Sequence, residues 1–136
     1  MPNPRHDRGL VDTSVVIDLA AIDAEALPGE LAVSAVTMAE LAAGPHATND
    51  PAERARRQDR LQRAEATFEP LAIDAAVARA YGRVYAASLG SGRKARGRRA
   101  MDLLIAATAV SAGLPLYTRN PDDFSGLSDL VEIVAV

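Results

Sequence analysis

Short apolar runs alternate along the chain with segments in which apolar residues recur at helical spacing. Residues 9–11, Gly-Leu-Val, are halted by Asp12-Thr13-Ser14, and Val15, Val16, Leu19 and Ala20 then follow at helical spacing, so a strand feeding a helix is predicted. Residues 31–35 read as a second strand and 36–43 as a helix that Gly44-Pro45 ends. Pro51 opens an unusually polar helix to about Thr67, a place where proline is tolerated because the first helical N–H lacks a partner anyway. Residues 70–73 read as a short strand. Asp74 is placed to cap a helix over 75–88 whose Val77, Tyr81, Val84 and Tyr85 make one stripe. A glycine-rich basic loop at 89–97 precedes an apolar helix over 100–112 that ends at Gly113. A strand at 114–118, a turn at 119–123 and a strand at 131–136 complete the chain.

Strands alternating with helices imply a parallel sheet with right-handed crossovers and helices on both faces. The expectation is an α/β fold: one three-layer α/β/α domain spanning residues 1–136, with a central, mostly parallel sheet. Ligands of such sheets lie beyond the carboxyl ends of the strands. Asp12 and the turn from Thr118 to Asp123 fall there.

Composition narrows the chemistry. The 136 residues include no cysteine and two histidines, which excludes disulfides, thiolate nucleophiles and cysteine-ligated zinc and leaves carboxylates as the main reactive groups. Five aromatics, none of them tryptophan, provide few platforms for base stacking. No signal-like or membrane-spanning run is apparent, so a cytoplasmic protein with no membrane association is expected. The formal charge of −3 divides unevenly: residues 1–50 carry two basic and eight acidic side chains, 51–99 twelve and five, and 100–136 one and five. Two acidic segments thus flank a basic one.

Asp102 is followed at i+3, i+4 and i+7 by Ile105, Ala106 and Ala109, which places it on the face expected to be buried. A buried carboxylate is costly unless paired or bound to metal; the bland alternative is an acid in the first helical turn, favoured by the helix dipole. Asp12 alone reads equally as an N-cap. Thr37-Met38-Ala39-Glu40 matches a capping box. Asp122 and Asp123 sit in a proline-containing turn where acids are common. Arg93, Lys94, Arg96, Arg98 and Arg99 put five cations in seven residues just before Asp102; such a run is usually solvated, but beside an acidic site it can steer a phosphate backbone.

Four blocks in order, Leu-Val-Asp12-Thr13-Ser14, Val36-Thr37-Met38-Ala39-Glu40-Leu41, Met101-Asp102-Leu103-Leu104-Ile105-Ala106-Ala107 and Thr118-Arg119-Asn120-Pro121-Asp122-Asp123-Phe124, resemble PIN-domain ribonucleases of the VapC toxin family. The resemblance covers about residues 9–136. It implies a metal-dependent endoribonuclease toxin that hydrolyses RNA phosphodiester bonds and so inhibits translation and growth. Asp12 and Asp102 would be the principal ligands of Mg²⁺, with Mn²⁺ as the substitute. Glu40 would be a ligand or position the attacking water, and Asp123, with Asp122 as the fallback, would be the fourth acid. Thr13 or Ser14 would hold a ligand or phosphate by hydrogen bonds. Asn120 stands where many relatives carry an acid, and can offer only an amide oxygen to a second metal.

Arg93, Lys94, Arg96, Arg98, Arg99 and Arg119 would contact RNA, whether tRNA, rRNA or mRNA. A VapB-type antitoxin is implied, seated near the helices over 36–43 and Pro51–Thr67, and so is a homodimer. Two other readings compete. An aspartyl-phosphate phosphatase would need an acid where Ser14 stands, and the related receiver-like domain a lysine near the last strand. A catalytically inert PIN module that binds RNA or protein draws support from Asn120 alone.

Overall fold

Leu10 and Val11 are adjacent in sequence and both fully buried, yet they belong to different cores. Successive side chains of a strand point to opposite faces, so this pair requires apolar cover on both sides of the sheet. Leu116 and Tyr117 divide in the same way. The computed structural model, which describes residues 6–90 and 97–136, shows the layered architecture that results.

Four strands, β1 (Arg8–Val11), β2 (Glu30–Ala32), β3 (Leu116–Thr118) and β4 (Ile133–Ala135), form one sheet in the order β2-β1-β3-β4. Every pairing among them is parallel, with Leu10 opposite Ala32 and Leu116, and Leu116 opposite Ile133. Five α-helices are described: α1 (Thr13–Ile17), α2 (Ala35–Ala43), α3 (Pro51–Thr67), α4 (Ala75–Leu89) and α5 (Arg98–Ala112). Val77, Ala80 and Val84 of α4 and Leu103, Ile105, Ala106, Ala107 and Ala109 of α5 cover one face with Leu10 and Leu116. Val15 and Val16 of α1, Leu41 of α2 and Ala64 of α3 cover the other with Val11 and Tyr117. The expected three-layer α/β fold is therefore present. None of the helices is long and apolar enough to cross a membrane among the described residues.

Local signals place most boundaries. Asp50 caps α3 by accepting from the Glu53 N–H, with Pro51 at the first position, and Asp74 caps α4 by accepting from Val77 N–H at 2.9 Å. Gly113 ends α5 in the left-handed region at φ 68°, which glycine adopts without a Cβ penalty.

Several elements differ from the sequence expectation. The strand expected at 70–73 is reduced to a single parallel bridge between Ser34 and Leu71: Pro70 has no N–H to offer a ladder, and the cap at Asp74 starts the next helix almost at once. The second strand ends at Ala32 because Ser34 caps α2, accepting from the Val36 N–H at 3.1 Å. This start puts Thr37 inside the helix and dissolves the capping box read at Thr37–Glu40. Asp102, with α5 beginning at Arg98, lies beyond the first helical turn. The segment after α1 continues as two 3₁₀ turns rather than more α-helix, and the turn after β3 is a 3₁₀ turn over Pro121–Phe124.

Gly9 lies under the ring of Tyr117, where an added Cβ would come within 2.5 Å of Cε1. Tyr117 is 3% exposed and has little room to move. Gly9→Ala is expected to cost about 1–3 kcal/mol through overpacking, read from urea unfolding; an unchanged midpoint would contradict this packing.

Candidate functional site

Asp12 leaves the carboxyl end of β1, the sheet's central region, and is 5% exposed. Its side chain does caps α1, with Oδ1 accepting from the Val15 N–H at 3.2 Å, but that accounts for only part of its surroundings. The Ser14 hydroxyl donates to the same oxygen at 2.5 Å, and the fully buried Thr118 hydroxyl, at the end of β3, donates to Oδ2 at 2.6 Å. Each hydroxyl in turn accepts a backbone N–H from the following turn, Ser14 from Arg119 at 3.1 Å and Thr118 from Asn120 at 3.0 Å. Two neighbouring strands and the turn that follows one of them are thereby tied to the two oxygens of one carboxylate. Thr118 was not singled out from the sequence. A hydroxyl ending an otherwise apolar strand, just before the acidic turn, was the available signal.

Glu40 projects from the second turn of α2. The Thr13 hydroxyl donates to its Oε1 at 2.6 Å and lies 3.1 Å from the hydroxyl of buried Thr37. The second carboxylate oxygen of Glu40 has no hydrogen-bond partner among the described residues. Thr13 and Ser14 thus engage the acids themselves, Glu40 and Asp12, instead of standing free for a phosphate.

Asp102 on α5 is half-buried, with Ile105, Ala106 and Ala109 beneath it in the core as its spacing requires. Its carboxyl is pushed up from an ordinary 3.8 to about 7, first by burial and then by the charges of Asp123, Glu40 and, more weakly, Asp12; the Arg98 guanidinium opposes the rise. Asp12, Glu40 and Asp123 therefore each lie near enough for their charge to act on Asp102. Asp123 is the more enclosed of the two turn acids, Asp122 is exposed, and it is Asp123 whose charge acts on Asp102.

The basic residues separate. Arg98 is exposed and stands beside the acids. Arg99 does not belong with it on an RNA-facing surface, because all three of its guanidinium nitrogens are buried. Arg119 is exposed but lies 3.5 Å from Asp18 Oδ2 in an ion pair. Arg93, Lys94 and Arg96 lie outside the described residues.

Oxygen donors without sulfur or histidine suit a hard divalent cation. Among the described residues no three acids close into a ready-made cage. The raised Asp102 carboxyl reflects burial first and neighbouring negative charge second, and a cation would offset the second.

Because Asp102 ionises near 3.8 when unfolded but near 7 when folded, its ionisation favours unfolding. Its contribution to stability is fullest below about pH 4 and is lost as pH rises through about 7. In EDTA, Asp102→Asn should therefore melt above the wild type at pH 8, with the gap narrowing at pH 5; equal melting temperatures at both pH values would contradict the crowding of charge described above.

The chain is similar to known proteins. The PIN domain family matches residues 9–130. Ribonuclease VapC5 and ribonuclease VapC4 of Mycobacterium tuberculosis are 37% and 38% identical over 133 residues, which span 94% and 95% of this chain and 95% and 97% of theirs. The solved structure of VapBC-5, a member of the VapBC family of toxin-antitoxin systems from the same organism, aligns with a TM-score of 0.83 at 37% identity, covering 96% of this chain and 99% of that one. VapBC2 from Rickettsia felis, bound to a DNA fragment from its promoter, shares the fold with a TM-score of 0.71 at 21% identity over 93% and 98% of the two chains. On these matches, the protein belongs to the PIN-domain family and to the VapC group within it.

Proposed function

We propose that this protein is an endoribonuclease toxin of a VapBC-type pair, a hydrolase that cuts RNA phosphodiester bonds with the help of Mg²⁺ or Mn²⁺ and thereby halts translation and growth in the cytoplasm. The observation that carries the reading is that Asp102 is pushed up by burial and by the charges of Asp123, Glu40 and Asp12, which lie near it beyond the carboxyl ends of β1 and β3. The names of the two mycobacterial relatives support the same activity.

Asp12 and Asp102 are the residues that would hold the cation, with Asp123 adding charge close by. When bound, such an ion neutralises the acids, acidifies a coordinated water and stabilises charge at the attacked phosphate. Glu40 is oriented by the Thr13 hydroxyl through one oxygen, which leaves the other to accept a proton from the attacking water. The hydrogen bonds from Ser14 and Thr118 fix Asp12 before substrate arrives, so little reorganisation is needed at the moment of reaction. Arg98 brings positive charge to the edge of the site, where an incoming backbone would otherwise meet only carboxylates.

The partner we assign is a VapB-type antitoxin. A groove of about 490 Å³ with an apolar floor of Val16, Leu19, Ala64 and Phe68 and a rim of Arg56 and Arg63 suits an amphipathic segment. It runs between α1 and α3, and α3 is one of the two helices where the antitoxin is expected. A homodimer fits the exposed apolar side chains of Tyr85, Leu89 and Met101 on α4 and α5.

The test is cleavage of total bacterial RNA by the purified protein, with the new ends sequenced. Cuts at discrete sites are expected with Mg²⁺ or Mn²⁺, none in EDTA, and a loss of at least about 100-fold in Asp102→Asn, in keeping with removal of a group that acts in the transition state. Cleavage that survives EDTA or Asp102→Asn would overturn the metal assignment, and no cleavage by the wild type would favour the inert binding module.

A further inference from the structure

Helix α3 carries five arginines, and four of them are engaged by the protein itself. Arg54 donates to the carbonyls of Pro45 and Thr48 at 3.0 and 2.9 Å. Arg56 donates twice to Glu53, and Arg57 bridges Glu53 at 3.1 Å and the Gly44 carbonyl at 2.9 Å. Arg63 pairs with Asp59. Arg60 is half-buried yet has no hydrogen-bond or ion-pair partner among the described residues. A partly desolvated guanidinium without an anion is costly to keep unless an anion arrives.

Arg60 stands on the rim of the groove between α1 and α3 and also lines a cleft of about 330 Å³ that receives Thr13 and Glu40 from the carboxylate site, Glu53 from α3 and Arg98 from α5. The cleft thus brings two of the proposed site residues together with two arginines from different helices, neither with a hydrogen-bond partner among the described residues. The volume lies within the range of small-ligand sites. Arg57 forms part of the wall, but its bonds to Glu53 and Gly44 hold it in place. An RNA strand whose scissile phosphate sits at the acids must lead its next phosphate away along such a wall, where the acidic centre repels it unless cations receive it. The planar fork of arginine matches two phosphate oxygens at once.

We propose that Arg60, with Arg98, forms a phosphate subsite that binds the RNA backbone phosphate adjoining the one hydrolysed. This assignment rests on the ribonuclease reading above and adds to it a substrate contact on α3, a helix outside the four sequence blocks. The contact is made in ground and transition states alike, so it acts on affinity.

The experiment uses the wild type, Arg60→Gln and Arg60→Lys with an RNA oligonucleotide spanning a mapped cut site, and with two further versions bearing one uncharged methylphosphonate immediately 5′ or 3′ of the cut. Arg60→Gln should keep the wild-type melting temperature, since no internal partner is lost. It should raise KM about tenfold with kcat unchanged and lower the slope of log affinity against log salt by about 0.7. Arg60→Lys, which keeps the charge but not the fork, should fall between. On one of the two methylphosphonate RNAs the wild type should drop to the level of Arg60→Gln, and the difference between them should vanish. Equal KM values on the unmodified RNA, or a deficit that persists on both methylphosphonates, would overturn the subsite. A wild type that cleaves no RNA would defeat the ribonuclease reading along with it, whereas a cleaving wild type matched by Arg60→Gln would defeat the subsite alone.

Discussion

The half-burial of an acid, Asp102, near three other carboxylates at the carboxyl ends of the inner strands is the constraint on which the site depends. Asp12 comes from the end of β1, Glu40 from α2, Asp102 from α5 and Asp123 from the turn after β3; burial, and after it the charges of the other three, push the Asp102 carboxyl up to about 7. Nothing in the local preference of any one segment brings these groups together. The convergence is imposed by the parallel pairing of β1 with β3 and by the two apolar cores that fasten helices to opposite faces of the sheet. Packing energy from Leu10, Val11, Leu116 and Tyr117 thus works against electrostatic strain at the strand ends, the usual relation between a rigid scaffold and a polar site placed on it.

The strain is confined by short hydroxyl bridges. Ser14 and Thr118 each donate to one oxygen of Asp12 and accept one backbone N–H from the turn at Arg119 and Asn120. The turn that carries Asp123 is therefore set in position relative to Asp12 through two side chains, and the Thr13 hydroxyl performs a related service for Glu40. A buried hydroxyl such as that of Thr118 must find partners, so its demand for satisfied hydrogen bonds and the demand for a fixed Asp12 are met by the same contacts.

Much of this was legible along the chain. Alternation of apolar runs with helical periodicity was enough for the α/β layers, because a sheet buried on both faces needs continuous apolar strands such as Gly9-Leu10-Val11. The buried face of Asp102 was visible in Ile105, Ala106 and Ala109, and Asp74 and Gly113 marked helix ends by backbone chemistry that is local. What failed was decided by distance in sequence. Thr37–Glu40 satisfied the capping pattern, but Ser34 captured the helix start and released Glu40 to meet Thr13, 27 residues away. The segment at 70–73 had strand-like residues and no room to use them beside Pro70. Arg99 shared a basic run with Arg98, yet one step along a helix turns a side chain about 100° away, and its nitrogens are buried where those of its neighbour face the acids. Arg60 looked like one of many solvated arginines until its neighbours' partners were known.

The most direct measurement is the ionisation of Asp102 itself, followed by carbon NMR of its carboxyl across pH with and without Mg²⁺. The account predicts a midpoint near 7 in the metal-free protein and a clear fall when Mg²⁺ is added, because a cation among the acids favours the charged form. A midpoint near the ordinary 3.8 that Mg²⁺ leaves unmoved would contradict both the convergence of the carboxylates and their use as a metal site.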